Sequence, residues 1–170
     1  TLRRLPTSRR QGPPVPGEAE MTPRELSIDV PSVPFELLPN RRKHWAAHAR
    51  AVRDYGAVVR LGAISARNGW VEWQMAEQGT IDVDWMPLSC CTVQVVATIP
   101  RSRRGPLPDP DNLAAACKSL SDALTARDRG HGQVGAGIIE DDGPEHVTLL
   151  PIRIERGDAE NVRIIVTEVV

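Results

Sequence analysis

Alternating hydrophobic and polar residues mark the first predicted element. Residues Leu26 to Val30 read Leu-Ser-Ile-Asp-Val, the period-two pattern of a strand with one buried face. Pro31, Pro34 and Pro39 follow, and prolines interrupt regular structure because they lack a backbone N–H. The pattern therefore predicts a half-buried strand that ends at these prolines.

A helical period comes next. Over residues 42–66 the apolar residues recur at three- and four-residue steps, which predicts a helix with one apolar face: Trp45, Ala49, Val52, Gly56, Val59 and Ala63. We expect Asn68-Gly69 to end this helix. Residues 70–88 show no clear period but contain Trp70, Trp73 and Trp85. We expect these side chains to pack in the core or at a dimer interface, with stacking on exposed DNA bases as the alternative.

The rest of the pattern predicts one more helix and three strands. The β-branched run Cys90–Ile99 indicates a buried strand, and an apolar stripe from Asn112 to about Thr125 indicates a helix. Val147–Ile154 and Val162–Val169 indicate two further strands. The order β-α-β-α-β-β predicts an α/β or α+β fold, in which a small mixed sheet packs with two main helices.

Length and composition favour one domain behind a short leader. The chain has 170 residues, of which 41% are hydrophobic, enough for one core. Residues 1–24 are rich in Pro, Gly, Arg and Ser, so we expect a disordered leader, with the domain at 25–170. No apolar run approaches the roughly 18 residues of a membrane span, and the leader lacks the apolar stretch of a signal peptide.

The cysteines indicate the compartment. Cys90, Cys91 and Cys117 form no CxxC pair, so we expect reduced, packed thiols and a cytoplasmic protein. Because Cys90 and Cys91 are adjacent in a predicted strand, their side chains should point to opposite faces.

Positive charge is concentrated although the formal net charge is −1. Between Asn40 and Asn68, one anion, Asp54, stands against seven cations: Arg41, Arg42, Lys43, Arg50, Arg53, Arg60 and Arg67. A second cluster contains Arg101, Arg103 and Arg104, and its loop leads directly into an acidic motif. These clusters are candidate phosphate contacts, although exposed helices also carry charge for solubility alone.

The acidic motif is Asp109-Pro110-Asp111-Asn112, which stands at a predicted helix start. In an extended segment, residues i and i+2 point the same way, so Asp109 and Asp111 would present two carboxylates to one point. Pro110 favours an extended conformation before it, and Asn112 or Asp111 would cap the helix. A cap followed by a turn is the structural alternative.

A second acidic segment, Glu140-Asp141-Asp142, suggests a metal site. Two converging carboxylates repel each other and need a cation or a proton between them. A third acid, from Asp141 or Asp142, would complete the all-oxygen ligand set that Mg²⁺ prefers. Lys118 is one of only two lysines among 21 basic residues, so it is either a compact charge for a phosphate or attacking water, or a surface residue.

Together these residues resemble a known family. The sequence has Asp109-Pro110-Asp111-Asn112-Leu113, then Lys118, Asp122-Ala123-Leu124 and Gly137-Ile138-Ile139-Glu140-Asp141-Asp142. This order resembles the RusA-like Holliday junction resolvases, crossover junction endodeoxyribonucleases that phages and prophages often encode. The likeness covers about residues 26–168.

The resemblance implies a homodimer that resolves four-way DNA junctions by paired, symmetric nicks. It implies Mg²⁺ as cofactor, with Mn²⁺ as a possible substitute and no nucleotide cofactor, and a bacterial or phage-infected cell as the setting. Carried over by position, the catalytic residues are Asp109, Asp111, Asp142 and Lys118, with Asp141 as a further metal ligand. The candidate DNA contacts are Arg101, Arg103, Arg104, Arg41, Arg42 and Lys43.

Two features depart from the family pattern. Lys118 lies seven residues after Asp111, where some members have four, and residues 127–135 resemble an insertion. Two other functions remain open: flap or single-strand cleavage on the same scaffold, and junction binding without cleavage.

Overall fold

Five strands and two long helices form the described part of the chain. The computed structural model describes residues 23–39, 44–79, 84–126 and 135–170, and the predicted leader up to residue 22 lies outside them. The elements are β1 (Glu25–Pro31), α1 (Trp45–Gln78), β2 (Cys91–Pro100), α2 (Pro110–Leu124), β3 (Val147–Leu149), β4 (Arg153–Gly157) and β5 (Asn161–Glu168). They confirm the predicted fold class, a small mixed sheet with two main helices.

The core is built on the three strands β1, β5 and β2, which pair antiparallel in that order. In one row across the sheet, Ile28 pairs with Ile164, and Ile164 pairs with Val95. All three side chains are buried, as the alternation in β1 predicts. Helix α1 packs on β1 and on α2. A Cβ atom at Gly62 would lie 3.1 Å from Val30, so glycine there permits a close approach.

The predicted end of the first helix is wrong. Helix α1 continues through Asn68 and Gly69 and ends at Gly79, whose φ is 63° and whose N–H donates to the Met75 carbonyl at 3.0 Å. Asn68 and Gly69 are exposed, where glycine costs only about 1 kcal/mol, and Trp70 packs against the core just beyond them. None of the helices in the described ranges is long and apolar enough to cross a membrane.

The tryptophans divide into two groups. Trp70 and Trp85 pack against the core, with ring centroids 5.2 Å apart in an edge-to-face arrangement, as predicted for core residues. Trp45 and Trp73 are 76% and 56% exposed, so Trp73 does not pack in the core of the chain. The prediction that Trp45 lies on the buried face of its helix is therefore wrong. The apolar stripe of α1 extends into its first turns, but its side chains there, such as Trp45, are exposed.

The strand predicted at Val147–Ile154 is two short strands. Both β3 and β4 pair parallel with β2, at Cys91–Val93 and at Val96–Pro100 respectively. Pro151 lies between them and has no N–H for the ladder, which explains the interruption.

All three cysteines are free, but only two are packed. Cys91 and Cys117 are buried, and burial raises the pKa of each thiol to about 11. Cys90 is exposed in the bend before β2, so the prediction of a packed thiol is wrong at this position. The two vicinal side chains differ in burial, in agreement with their predicted opposite directions.

Arg24, within the stretch predicted as leader, makes three contacts to two distant parts of the domain. Its guanidinium forms an ion pair with Glu168 at 2.7 Å, donates to the Met86 carbonyl and lies 5.0 Å from the Trp85 ring centroid. The hydrogen bond from Arg24 lowers the pKa of the Glu168 carboxyl, against a smaller opposing effect of burial.

We expect Glu168→Gln to weaken the acid sensitivity of folding. A carboxyl whose pKa is lower in the folded state stabilises the fold above its unfolded pKa, and this stabilisation disappears as the pH falls through the folded pKa. Wild type should therefore lose more stability than Glu168→Gln as the pH falls below about 4. Urea unfolding at a series of pH values measures this, and parallel curves for the two proteins would contradict it.

Candidate functional site

The first acidic motif forms the N-terminus of α2. Asp109 is the N-cap, in extended conformation, and its Oδ1 accepts a hydrogen bond from the Asp111 N–H at 3.0 Å. The predicted cap, Asn112 or Asp111, is therefore wrong. The helix begins at Pro110, whose fixed φ suits a first helical position, so Asp111 lies in the helix and the expected extended pairing of the two carboxylates is also wrong.

Both carboxylates nevertheless lie within one turn of the helix. Asp109 and Asp111 are exposed, and the positive end of the helix dipole stabilises their negative charge. The cap uses one of the two Asp109 oxygens. This end of α2 therefore presents adjacent carboxylate oxygens to solvent, a donor type suited to hard cations.

The second acidic segment approaches the other end of α2. The N–H of Ile138 donates to the Leu124 carbonyl at 2.9 Å, and the N–H of Glu140 donates to the Leu88 carbonyl at 3.0 Å. Asp141 and Asp142 follow and are half-buried, and the Asp142 N–H donates to Asp141 Oδ1 at 2.8 Å. Backbone hydrogen bonds to Leu88, just before β2, and to Leu124, at the end of α2, thus fix the segment that leads into both acids.

Two side chains anchor the backbone just before these acids. Arg67 Nη1 donates to the Ala136 carbonyl at 3.0 Å, and Trp85 Nε1 donates to the Gly137 carbonyl at 2.8 Å. Gly137 adopts a φ of 68°, which favours glycine. The sequence predicts neither anchor, because no local pattern links Arg67 and Trp85 to carbonyls that lie 69 and 52 residues further along the chain.

Removing the Arg67 donor should destabilise this segment. In Arg67→Met the Ala136 carbonyl loses its partner, and an unsatisfied partly buried carbonyl costs about 1–2 kcal/mol. Urea unfolding measures the free-energy difference. Arg53→Met is a matched control, because Arg53 is exposed on the same helix and should change stability by less than about 0.5 kcal/mol. Equal effects of both variants would contradict this role for Arg67.

Opposite ends of α2 place the two acidic segments. Helix α2 has 15 residues, so its ends lie about 20 Å apart at 1.5 Å per residue. Asp109 and Asp111 are at one end, whereas Asp142 follows residues bonded to the other. Within the described ranges, the structure contains no group of three or more His, Cys, Asp or Glu residues able to hold a metal ion.

Lys118 belongs to α2, two helical turns after Asp111, and its side chain lies outside what the structure describes. The predicted DNA contacts Arg41, Arg42 and Lys43 also lie outside the described residues.

The predicted arginine loop lies within the described residues. Its backbone is held by Arg156, a contact that the sequence pattern does not predict. Arg101, Arg103 and Arg104 are exposed between β2 and α2. Arg156, from β4, donates to the carbonyls of Pro100, Arg103 and Gly105 at 2.8–3.3 Å. This fixes the loop backbone that leads to Asp109, while Arg103 itself forms an ion pair with Glu160 at 3.4 Å.

Comparison of the sequence with protein-family models and with curated proteins finds no match in either. The resemblance to RusA-like resolvases therefore depends on the motif residues and their spacing.

Proposed function

We propose that this protein is a Mg²⁺-dependent, structure-specific endodeoxyribonuclease that resolves four-way DNA junctions as a homodimer. The observation that carries the proposal is the relation of the two acidic segments to α2. Asp109 and Asp111 begin this helix, and the segment before Asp141 and Asp142 is hydrogen-bonded to its end. The order of acids, helix and acids is also the order on which the family resemblance depends.

The carboxylate oxygens of these acids are of the ligand type that Mg²⁺ binds. Asp109, Asp111 and Asp142 offer carboxylate oxygens, which this hard cation prefers. When bound, such a metal activates water and stabilises the charge that develops on a phosphodiester during hydrolysis. Asp111 and Asp109 would bind the metal from an end of α2 whose dipole favours anions, and Asp109 keeps its conformation through the cap.

A second copy of the chain would complete this ligand set. Opposite ends of α2 place the two acidic segments, so we propose that Asp142 of one protomer joins Asp109 and Asp111 of the other. A two-fold dimer then has two equivalent sites, one for each of two equivalent strands at a junction. The exposed arginine loop, ordered by Arg156, would contact phosphates beside each site.

Cleavage of an end-labelled synthetic four-way junction in Mg²⁺ tests the proposed function. We expect paired nicks at symmetric positions on two strands of like polarity. Junction binding in EDTA should survive in Asp111→Asn, whose nicks should disappear.

Each of the two alternatives has a distinct outcome in the same assay. Tight binding of the junction by wild type without nicks would replace the nuclease with a junction-binding protein. Faster cleavage of flaps or single strands than of junctions would retain the metal site and discard junction resolution.

A further inference from the structure

A cavity of about 540 Å³ opens beside Asp109. It lies where β1 and β2 end and β5 begins, and the loop before α2 covers one side. Its floor is apolar and includes the buried side chains of Ala97, Ile99, Leu113 and Val162. Volumes of 300–1,000 Å³ with mainly apolar walls are typical of sites that bind small molecules or single chemical groups.

The rim of this cavity disfavours an anion. Its one arginine, Arg103, forms an ion pair with Glu160, and Asp109 adds a second carboxylate. A phosphate would therefore meet a net negative rim. The amides of Asn112 and Asn161 provide both donors and acceptors. The cavity thus fits a neutral, flat group with apolar faces and polar edges.

The position of the cavity indicates where such a group comes from. The loop that forms one wall also carries Arg101 and Arg104, both exposed and suited to phosphates, and it continues to Asp109. A DNA strand held along this loop would place phosphates at the arginines and a base next to the cavity. Phosphate contacts of this kind position a strand, whereas the bases select it.

We propose that this cavity receives one unstacked DNA base next to the strand held at Asp109. The inference rests on the proposed function and adds a base-binding site to it. Enzymes that modify a DNA base hold the extruded base in a closely fitting pocket, and extrusion costs least where pairing is already disturbed. The strand-exchange point of a four-way junction is such a place.

A scan with abasic nucleotides tests this site. Junctions that carry a single abasic nucleotide at successive positions around the exchange point are bound in EDTA, and the dissociation constant of each is compared with that of the intact junction. Removal of the base that enters the cavity should weaken binding about tenfold, a usual effect for one base contact. Other positions should change little.

Two cavity variants connect the effect to these residues. Ala97→Leu fills the floor, and Leu107→Ala removes an exposed part of the wall, a change that the fold should tolerate. Both should bind the intact junction about tenfold more weakly and lose the difference between intact and abasic junctions. Leu149→Ala, at an exposed position outside the cavity, is the matched control and should behave as wild type.

Intact-junction binding and cleavage separate the two proposals. Normal cleavage with no sensitive abasic position would overturn the base site alone. So would an unchanged abasic penalty in Leu107→Ala. Failure to bind any intact junction would overturn both the base site and the proposed function.

Discussion

A mixture of Asp111→Asn and Asp142→Asn protomers should recover cleavage that neither variant has alone. Each single variant alters both sites of a dimer and should lower cleavage about 100-fold or more, because the loss of one metal ligand removes several kcal/mol of transition-state stabilisation. If each site combines Asp111 of one protomer with Asp142 of the other, a mixed dimer has one site with both changes and one site with neither.

The expected recovery has a definite size and form. Random exchange makes half of the dimers mixed, each with one intact site, so about a quarter of the wild-type sites should return. The products should be single nicks, since the second strand meets an inactive site. No recovery after verified subunit exchange would show that the acids act within one chain, and the composite site would be wrong. A mixture of wild type with Asp111→Asn is the control for exchange.

Ile139→Ala should be among the most destabilising single changes in this protein. Ile139 is fully buried and lies two residues before Asp141. Its backbone forms isolated β-bridges with Leu88 and with Thr125. Truncation of a buried isoleucine to alanine costs about 2–5 kcal/mol, a large part of a typical stability of about 5–15 kcal/mol. Urea unfolding should show this loss without a change in the slope of the transition.

Two further variants distinguish packing from other causes. Ile139→Val removes one methylene group and should cost about 1 kcal/mol. Leu149→Ala, at a side chain that is 65% exposed, should change stability by less than about 0.5 kcal/mol. If Ile139→Ala were no worse than Leu149→Ala, the segment before the acids would not belong to the core.

The sequence predicts this fold well where local pattern and burial coincide. Alternation in β1 is clear because one face of that strand is buried against α1 and the other is exposed. The predicted end of α1 is wrong because the Asn68-Gly69 signal is local, whereas the packing of Trp70 against the core depends on distant residues. Pro151 explains the divided strand, and its position could have indicated the break.

At the candidate site, too, the sequence predicts residue types but not the long-range contacts between segments. The residue types and spacing identify Asp109, Asp111 and Asp142 as candidates, but the helix begins two residues earlier than predicted, at Pro110, which makes Asp109 the cap instead of Asp111 or Asn112. Whether acids thirty residues apart converge depends on which end of α2 each approaches. The Arg67 and Arg156 anchors depend on the same long-range arrangement.

The three contacts of Arg24 set a practical limit on how far the chain can be shortened. A version that begins at Pro23 keeps the guanidinium that contacts Glu168 and the adjacent pair Trp85 and Met86, two segments that are far apart in sequence. A version that begins at Glu25 keeps every described strand, but the Trp85 ring and Glu168 at the end of β5 lose their contacts with Arg24. The boundary for crystallisation or domain fusion therefore falls before Arg24, although the first strand begins only after it.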